Sequence, residues 1–244
     1  MGSFFNTILY QPLFNSLVFL YKYVAFEDLG VAIILLTLVI RIILYPLFYK
    51  SFKNQTIMQK IQPEIQRIQH DHKGDKEKQA HALMELYKHH KVNPFSGFLL
   101  ILVQLPILIV LYQVFLKGLS QESFTNLYSF ISAPTVVNHS FLGLIDLGSR
   151  SILIVVLAAV LQYLQGRLSL PKQSPNQDSA AARMGRSMIY IGPIMTILIL
   201  TSLPSAIGLY WLATSAFSIG QQLIINKSLN KNDGAIPAKS KNDS

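Results

Sequence analysis

Arg41, Gln104, Gln162, Trp211 and Thr214 are polar side chains set in stretches that are otherwise apolar. Arg41 makes the strongest demand on its surroundings. From position 29 to 49 every other residue is apolar, small or aromatic, and about twenty such residues cross a hydrocarbon core. At ~1.5 Å per residue, Arg41 lies roughly 17 Å from Gly30 and about 12 Å from Tyr49. Placing a guanidinium there costs about 2.5 kcal/mol or more. Such a cation must face protein or a wet cavity. In a structural role it would pair with a carboxylate on a neighbouring helix. The apolar stretches contain no Asp, Glu, His or Lys, so an uncompensated charge, hydrated or bonded to amides and backbone carbonyls, is expected. Any one of the amides, the hydroxyl or the indole alone reads as a helix–helix contact. Together with an unpaired Arg41 they read as the lining of a cavity that water can enter.

Other chemistries lack their residues. With no cysteine there is no disulfide, thiolate nucleophile, Cys-ligated metal or lipidated Cys. A His-Glu-x-x-His helix, a nucleophile elbow and a phosphate-binding glycine loop are all absent. His70, His72, His81, His89 and His90 gather in one polar section, but their spacing matches no metal-site type and suits solvated helix faces. The expectation is a protein that is not an enzyme and holds no metal or cofactor.

The elements that must position these residues follow from composition. The chain is 51% hydrophobic and 14% charged, with mean hydropathy +0.38, as in a polytopic membrane protein. The predicted fold class is all-α, with five spans at about 29–49, 95–116, 151–166, 187–203 and 206–225. Residues 1–28, aromatic-rich and interrupted by polar side chains, are expected as an interfacial helix on the outer face. In the section 50–93, Ile57, Ile61, Ile65 and Ile68 recur at helical spacing, then Ala80, Leu83, Met84 and Tyr87. Asp71-His72-Lys73-Gly74-Asp75 between them has turn composition, so a charged antiparallel helical hairpin is expected. Asn93-Pro94 opens the second span. Residues 117–150 read as a polar-aromatic loop with short helices, 167–186 as a linker, and 229–244 as a basic disordered tail. Val155 is an expected lipid-facing position on the third span.

Nine Lys/Arg lie in 50–93, four in the linker and four from Asn226 onward, against Lys22, Lys117 and Arg150 on the other side. The positive-inside rule puts the hairpin, linker and tail in the cytoplasm and the N-terminus outside. Sixteen residues rise about 24 Å against roughly 30 Å of hydrocarbon, so the third span is short and should thin the bilayer beside it.

These residues also resemble a known family. Arg41 followed by Tyr45-Pro46-Leu47, Ile61-Gln62-Pro63-Glu64, Leu86-Tyr87-Lys88, Asn93-Pro94, Gly97 and Gln104-Leu105-Pro106-Ile107 match its pieces in order. Phe141-Leu142, Asp146-Leu147, Pro204, Gly208-Leu209-Tyr210-Trp211 and Gln221 continue the series. The chain resembles the YidC/Oxa/Alb family of membrane protein insertases in its five-span form. It departs at Pro204-Ser205-Ala206-Ile207-Gly208, one residue longer than the family's usual pattern, and at Thr214-Ser215. The resemblance implies insertion of nascent membrane proteins through a groove closed outside and open to cytoplasm and lipid. It implies Arg41, Gln162, Trp211 and Gln104 as groove residues, and nascent chains, lipid, the ribosome and the Sec translocon as partners. No specific nucleic-acid sequence is implied, and the location is the bacterial inner (plasma) membrane. The competing reading of the residues is a small-solute or anion channel using Arg41 as its site, although internal inverted repeats are not visible.

Overall fold

Asp28 starts the helix that carries Arg41. Its side chain accepts from the Val31 N–H at 2.9 Å, filling one of the donors a helix start leaves open. The computed structural model describes residues 3–117, 123–169 and 180–233. The middle of the expected linker, residues 170–179, and the tail from 234 lie outside the described residues. After a helical stretch at residues 3–10, the helices are α1 (Gln11–Tyr23), α2 (Leu29–Ile43), α3 (Tyr45–Lys60), α4 (Gln62–Asp71) and α5 (Lys76–His89). Then come α6 (Ser96–Lys117), α7 (Ile152–Ser169), α8 (Ala180–Leu200) and α9 (Ser205–Asp233). The chain is mostly helical.

The expected first span, 29–49, is not one helix. It breaks at Leu44, and α2 and α3 meet at a bend of 73°. Pro46 is the cause: it has no N–H to donate to the Ile42 carbonyl, and its ring crowds the turn before it. The helix restarts with Pro46 in the first turn of α3, where no donor is needed. Arg41 therefore sits in the last turn of α2, beside the bend. Pro63 breaks the charged section in the same way, so the expected two arms over 50–93 are three helices, α3, α4 and α5. The turn between α4 and α5 falls where the sequence places it. Pro106 and Pro193, by contrast, lie inside continuous helices.

The described part of the 117–150 loop, residues 123–150, holds less helix than expected: a 3₁₀ turn at Ser123–Asn126 and a two-stranded antiparallel ribbon, β1 (Ser140–Phe141) with β2 (Ile145–Asp146). Side chains of α1 and α2 hold this loop. Buried Asn15 donates to the Asn126 carbonyl at 3.0 Å and accepts from the Tyr128 N–H at 2.7 Å. The Tyr21 hydroxyl accepts from the Asn138 N–H at 2.7 Å, and Asp28 accepts from the Leu142 N–H at 2.6 Å. Opposite, β1 lies so close to α2 that a Cβ on Gly30 would run into the Phe141 ring. The loop in turn caps α9: the Leu147 carbonyl accepts from Ala206 N–H, and the Ser149 carbonyl from both the N–H and the hydroxyl of Ser205.

One apolar core joins α1, α2, α6, α7, α9 and the loop through Phe14, Leu17, Ile33, Leu111, Leu147 and Leu209. Outside it, large apolar side chains remain exposed on α6, α7, α8 and the end of α2. Exposed apolar side chains in such number call for a partner or a lipid phase. Among the described residues, α7 alone is long and apolar enough to cross a membrane unaided, and the bent pair α2–α3 passes jointly. Shorter apolar runs occupy residues 102–115 and 189–200. Val155 does not face outward as expected. It is 5% exposed and packed among Ala158, Leu200 and Ile207, whereas the next residue, Val156, is 51% exposed.

Candidate functional site

Trp211, Thr214, Ser218 and Gln221 recur at intervals of three and four, so α9 presents them on one face. That face meets the last turn of α2. Arg41 is 5% exposed. One of its terminal nitrogens donates to the Gln221 side-chain oxygen at 3.4 Å. The other donates to the Thr214 carbonyl at 3.1 Å and the Ser218 hydroxyl at 2.8 Å. The Ser218 hydroxyl donates its own hydrogen bond to the same Thr214 carbonyl at 2.9 Å, which leaves its lone pairs for the guanidinium. Phe48, just past the bend, puts its ring 4.0 Å from the guanidinium carbon, within cation–π range. No carboxylate pairs with Arg41 among the described residues. Hydrogen bonds to a charged group contribute roughly 1.5–3 kcal/mol each. Three of them, one long at 3.4 Å, are of the same order as the cost of burying the cation.

Arg41, Gln104, Gln162 and Trp211 all line one cavity of about 250 Å³ between α2, α3, α6, α7 and α9. Gln104 on α6 donates through its amide nitrogen to the Tyr210 hydroxyl. The Gln162 oxygen on α7 accepts from the Trp211 indole N–H at 3.3 Å and the Ser215 hydroxyl at 3.4 Å. Gly192 makes room for this on α8, where a Cβ would stand 3.3 Å from the Gln162 side chain. The walls are Phe48, Phe52, Leu100, Leu105 and Leu108. The cavity thus combines one cation, several neutral polar groups and apolar surface, with no acidic side chain among the described residues of its lining.

Ser218, Ser215 and Phe48 are site residues that the sequence reading did not single out. The signal for Ser218 is present: Thr214, Ser218 and Gln221 share a helical face with Trp211. Phe48 carried none, because its approach depends on the 73° bend. No cluster of three His, Asp or Glu comes together among the described residues. The cavity offers electrostatic attraction and hydrogen bonding.

A family model described as 60Kd inner membrane protein matches residues 19–232. Membrane protein insertase YidC of Clostridium tetani (strain Massachusetts / E88) is 38% identical over 200 residues, covering 81% of this chain and 81% of that protein. The protein of the same name from Geobacter metallireducens is 32% identical over 91% of this chain but only 37% of its own length. That from Syntrophobacter fumaroxidans is 34% identical over 91% of this chain and 38% of its own. The chain therefore spans less than two fifths of these longer relatives and most of the shorter one. The match runs from within α1 almost to the end of α9 and takes in the whole Arg41 cavity; the chain belongs to the 60Kd inner membrane protein family, the YidC-type insertases.

Proposed function

We propose that this chain inserts nascent membrane proteins into the bacterial plasma membrane and assists their folding, acting by binding and electrostatics without covalent catalysis. The carrying observation is Arg41, a buried cation with amide, hydroxyl and carbonyl partners on the wall of a cavity. In this reading α2, α6, α7, α8 and α9 are five membrane crossings. The N-terminus lies outside; α4, α5, the linker and the tail are cytoplasmic. The cavity is the inner end of a groove open to cytoplasm and lipid.

Arg41 then offers a positive potential to an acidic tail that has entered part of the bilayer thickness. The following apolar segment leaves the groove along α7 and α9 into lipid. At 18 residues, α7 rises about 27 Å against roughly 30 Å of hydrocarbon, which shortens the polar path. A negative interior favours outward movement of each acidic charge by about 2.3 kcal/mol per 100 mV if it crosses the full field. Nascent chains and lipid are the partners. The basic cytoplasmic section also suits the ribosome or the Sec translocon.

The test is insertion into liposomes of a small single-span protein with an acidic, neutral or basic tail, by protein carrying Arg, Lys, Ala or Glu at position 41. Arg41→Lys should keep much of the activity, because the charge remains although the planar fork is lost. Arg41→Ala should impair the acidic tail most, the neutral tail less and the basic tail least. Equal loss for all tails would return Arg41 to a structural role, and solute flux without insertion would favour a channel.

A further inference from the structure

A larger cavity lies away from Arg41. It measures about 810 Å³ and opens between α3, the C-terminal half of α5 and the start of α6. Lys50, Lys88 and Lys91 line it, and among the described residues no acidic side chain does. None of these lysines has an ion-pair partner among the described residues. The rest of the wall is largely apolar, with Phe95 just before α6 and Leu99 and Leu102 on it. Those three side chains are exposed, and the exposed apolar row continues along α6 at Leu105 and Ile109.

The backbone at Lys91 is unusual. Helix α5 ends with the Val92 N–H bonded to the Tyr87 carbonyl at 3.0 Å and the Lys91 N–H bonded to the Lys88 carbonyl at 3.1 Å. This is a Schellman ending, and it places Lys91 at φ +52°. Glycine is the usual residue there because a Cβ is strained in the left-handed region. Val92, buried against Ile61 and Ile65, fixes the turn without any help from the Lys91 side chain. A strained lysine at the mouth of a cavity with two other lysines points to a use for its charge.

We propose that this cavity binds the phosphate headgroup of an anionic phospholipid, with Lys50, Lys88 and Lys91 around the phosphate and an acyl chain lying along Leu99 and Leu102. It rests on α6 being embedded, as in the function proposed above. The Asn93–Pro94 junction, where charged sequence gives way to apolar sequence, then falls at the cytoplasmic interface, where basic pockets meet anionic lipid. An acidic peptide would match the lysines but leave the apolar row on α6 uncovered. A free phosphate would match only the charge.

Purified full-length protein in micelles containing equal phosphatidylglycerol and phosphatidylcholine would be read by native mass spectrometry for the ratio of the two lipids retained. The wild type should favour phosphatidylglycerol. Lys91→Gly should lower the ratio about fivefold, and Lys50→Gln/Lys88→Gln/Lys91→Gln further. Lys73→Gln/Lys76→Gln/Lys78→Gln, the same charge change at the α4–α5 turn, should leave it unchanged. Lys91→Gly also relieves the positive φ, so its melting temperature should stay or rise, which separates lost binding from lost fold. Inorganic phosphate should not displace the lipid. An unchanged ratio in Lys91→Gly, an equal effect of the turn variant, or displacement by phosphate or a soluble acidic peptide would overturn the proposal. Binding is read without insertion activity, so failure of either reading is seen separately.

Discussion

Two charged side chains show how differently this chain spends a charge. Arg41 is surrounded by neutral acceptors and an aromatic ring. Asp28 accepts from Val31 N–H and Leu142 N–H, tying the first turn of α2 to the outer loop. Removing Arg41 removes both the charge and its desolvation cost, and the acceptors left behind are themselves local: Ser218 still bonds Thr214. Asp28 has no such substitute. Asp28→Ala strips a helix cap and frees the exposed Leu142 N–H to water, so it should destabilise by about 1–2 kcal/mol, while Asp28→Asn keeps a capping oxygen and should lose less. Thermal unfolding in detergent checks the order. If Asp28→Ala and Asp28→Asn melt alike at the wild-type temperature, the loop is held by something other than this carboxylate.

At the level of elements, the charged section 50–93 divides in two. α3 is fastened: Phe48 and Phe52 are buried with Ile225, Thr56 donates to the Asn226 side chain at 2.7 Å, and Gln59 donates to the Leu168 carbonyl at 3.1 Å. α5 has no buried residue, and α4 has only Ile65. Local opening follows burial and bonding, so amide hydrogen exchange in α4 and α5 should be on the order of tenfold or more faster than in α2 and α3. Equal protection across α3, α4 and α5 would mean that the section moves as one body. The helices themselves were legible in the sequence, because apolar periodicity and turn composition report local preference. The division was not. Ile57, Ile61 and Ile65 look equivalent in sequence, and only Pro63 hints that the arm is broken between them. Pro46 carries the same hint for the 73° bend, yet Pro106 and Pro193 lie inside continuous helices. A proline marks where a helix can yield, and packing by distant elements decides whether it does. Arg41, Gln104, Gln162 and Trp211 stood out because polar groups are rare in apolar runs; that they line one cavity depended on how α2, α6, α7 and α9 cross.

Across the whole molecule, α7 stands between the cavity and one of the exposed apolar faces. α7 turns Gln162 toward Trp211 and the Arg41 cavity while Leu153, Val156 and Val160 face outward. A chain leaving the groove for lipid would pass from the first surface to the second, with no other described element between them than α7, α9 and their neighbours. A photo-crosslinking residue at position 162 or 211 should therefore capture a stalled single-span substrate, and its yield should fall when the substrate's apolar segment is lengthened enough to release it. Val156 is the proper outward control; Val155, buried against Ala158 and Leu200, is not. A residue at 156 should capture substrate later in release than one at 162. Capture at 156 alone, with positions 162 and 211 silent at every length, would place the route on the lipid face and leave the cavity out of it.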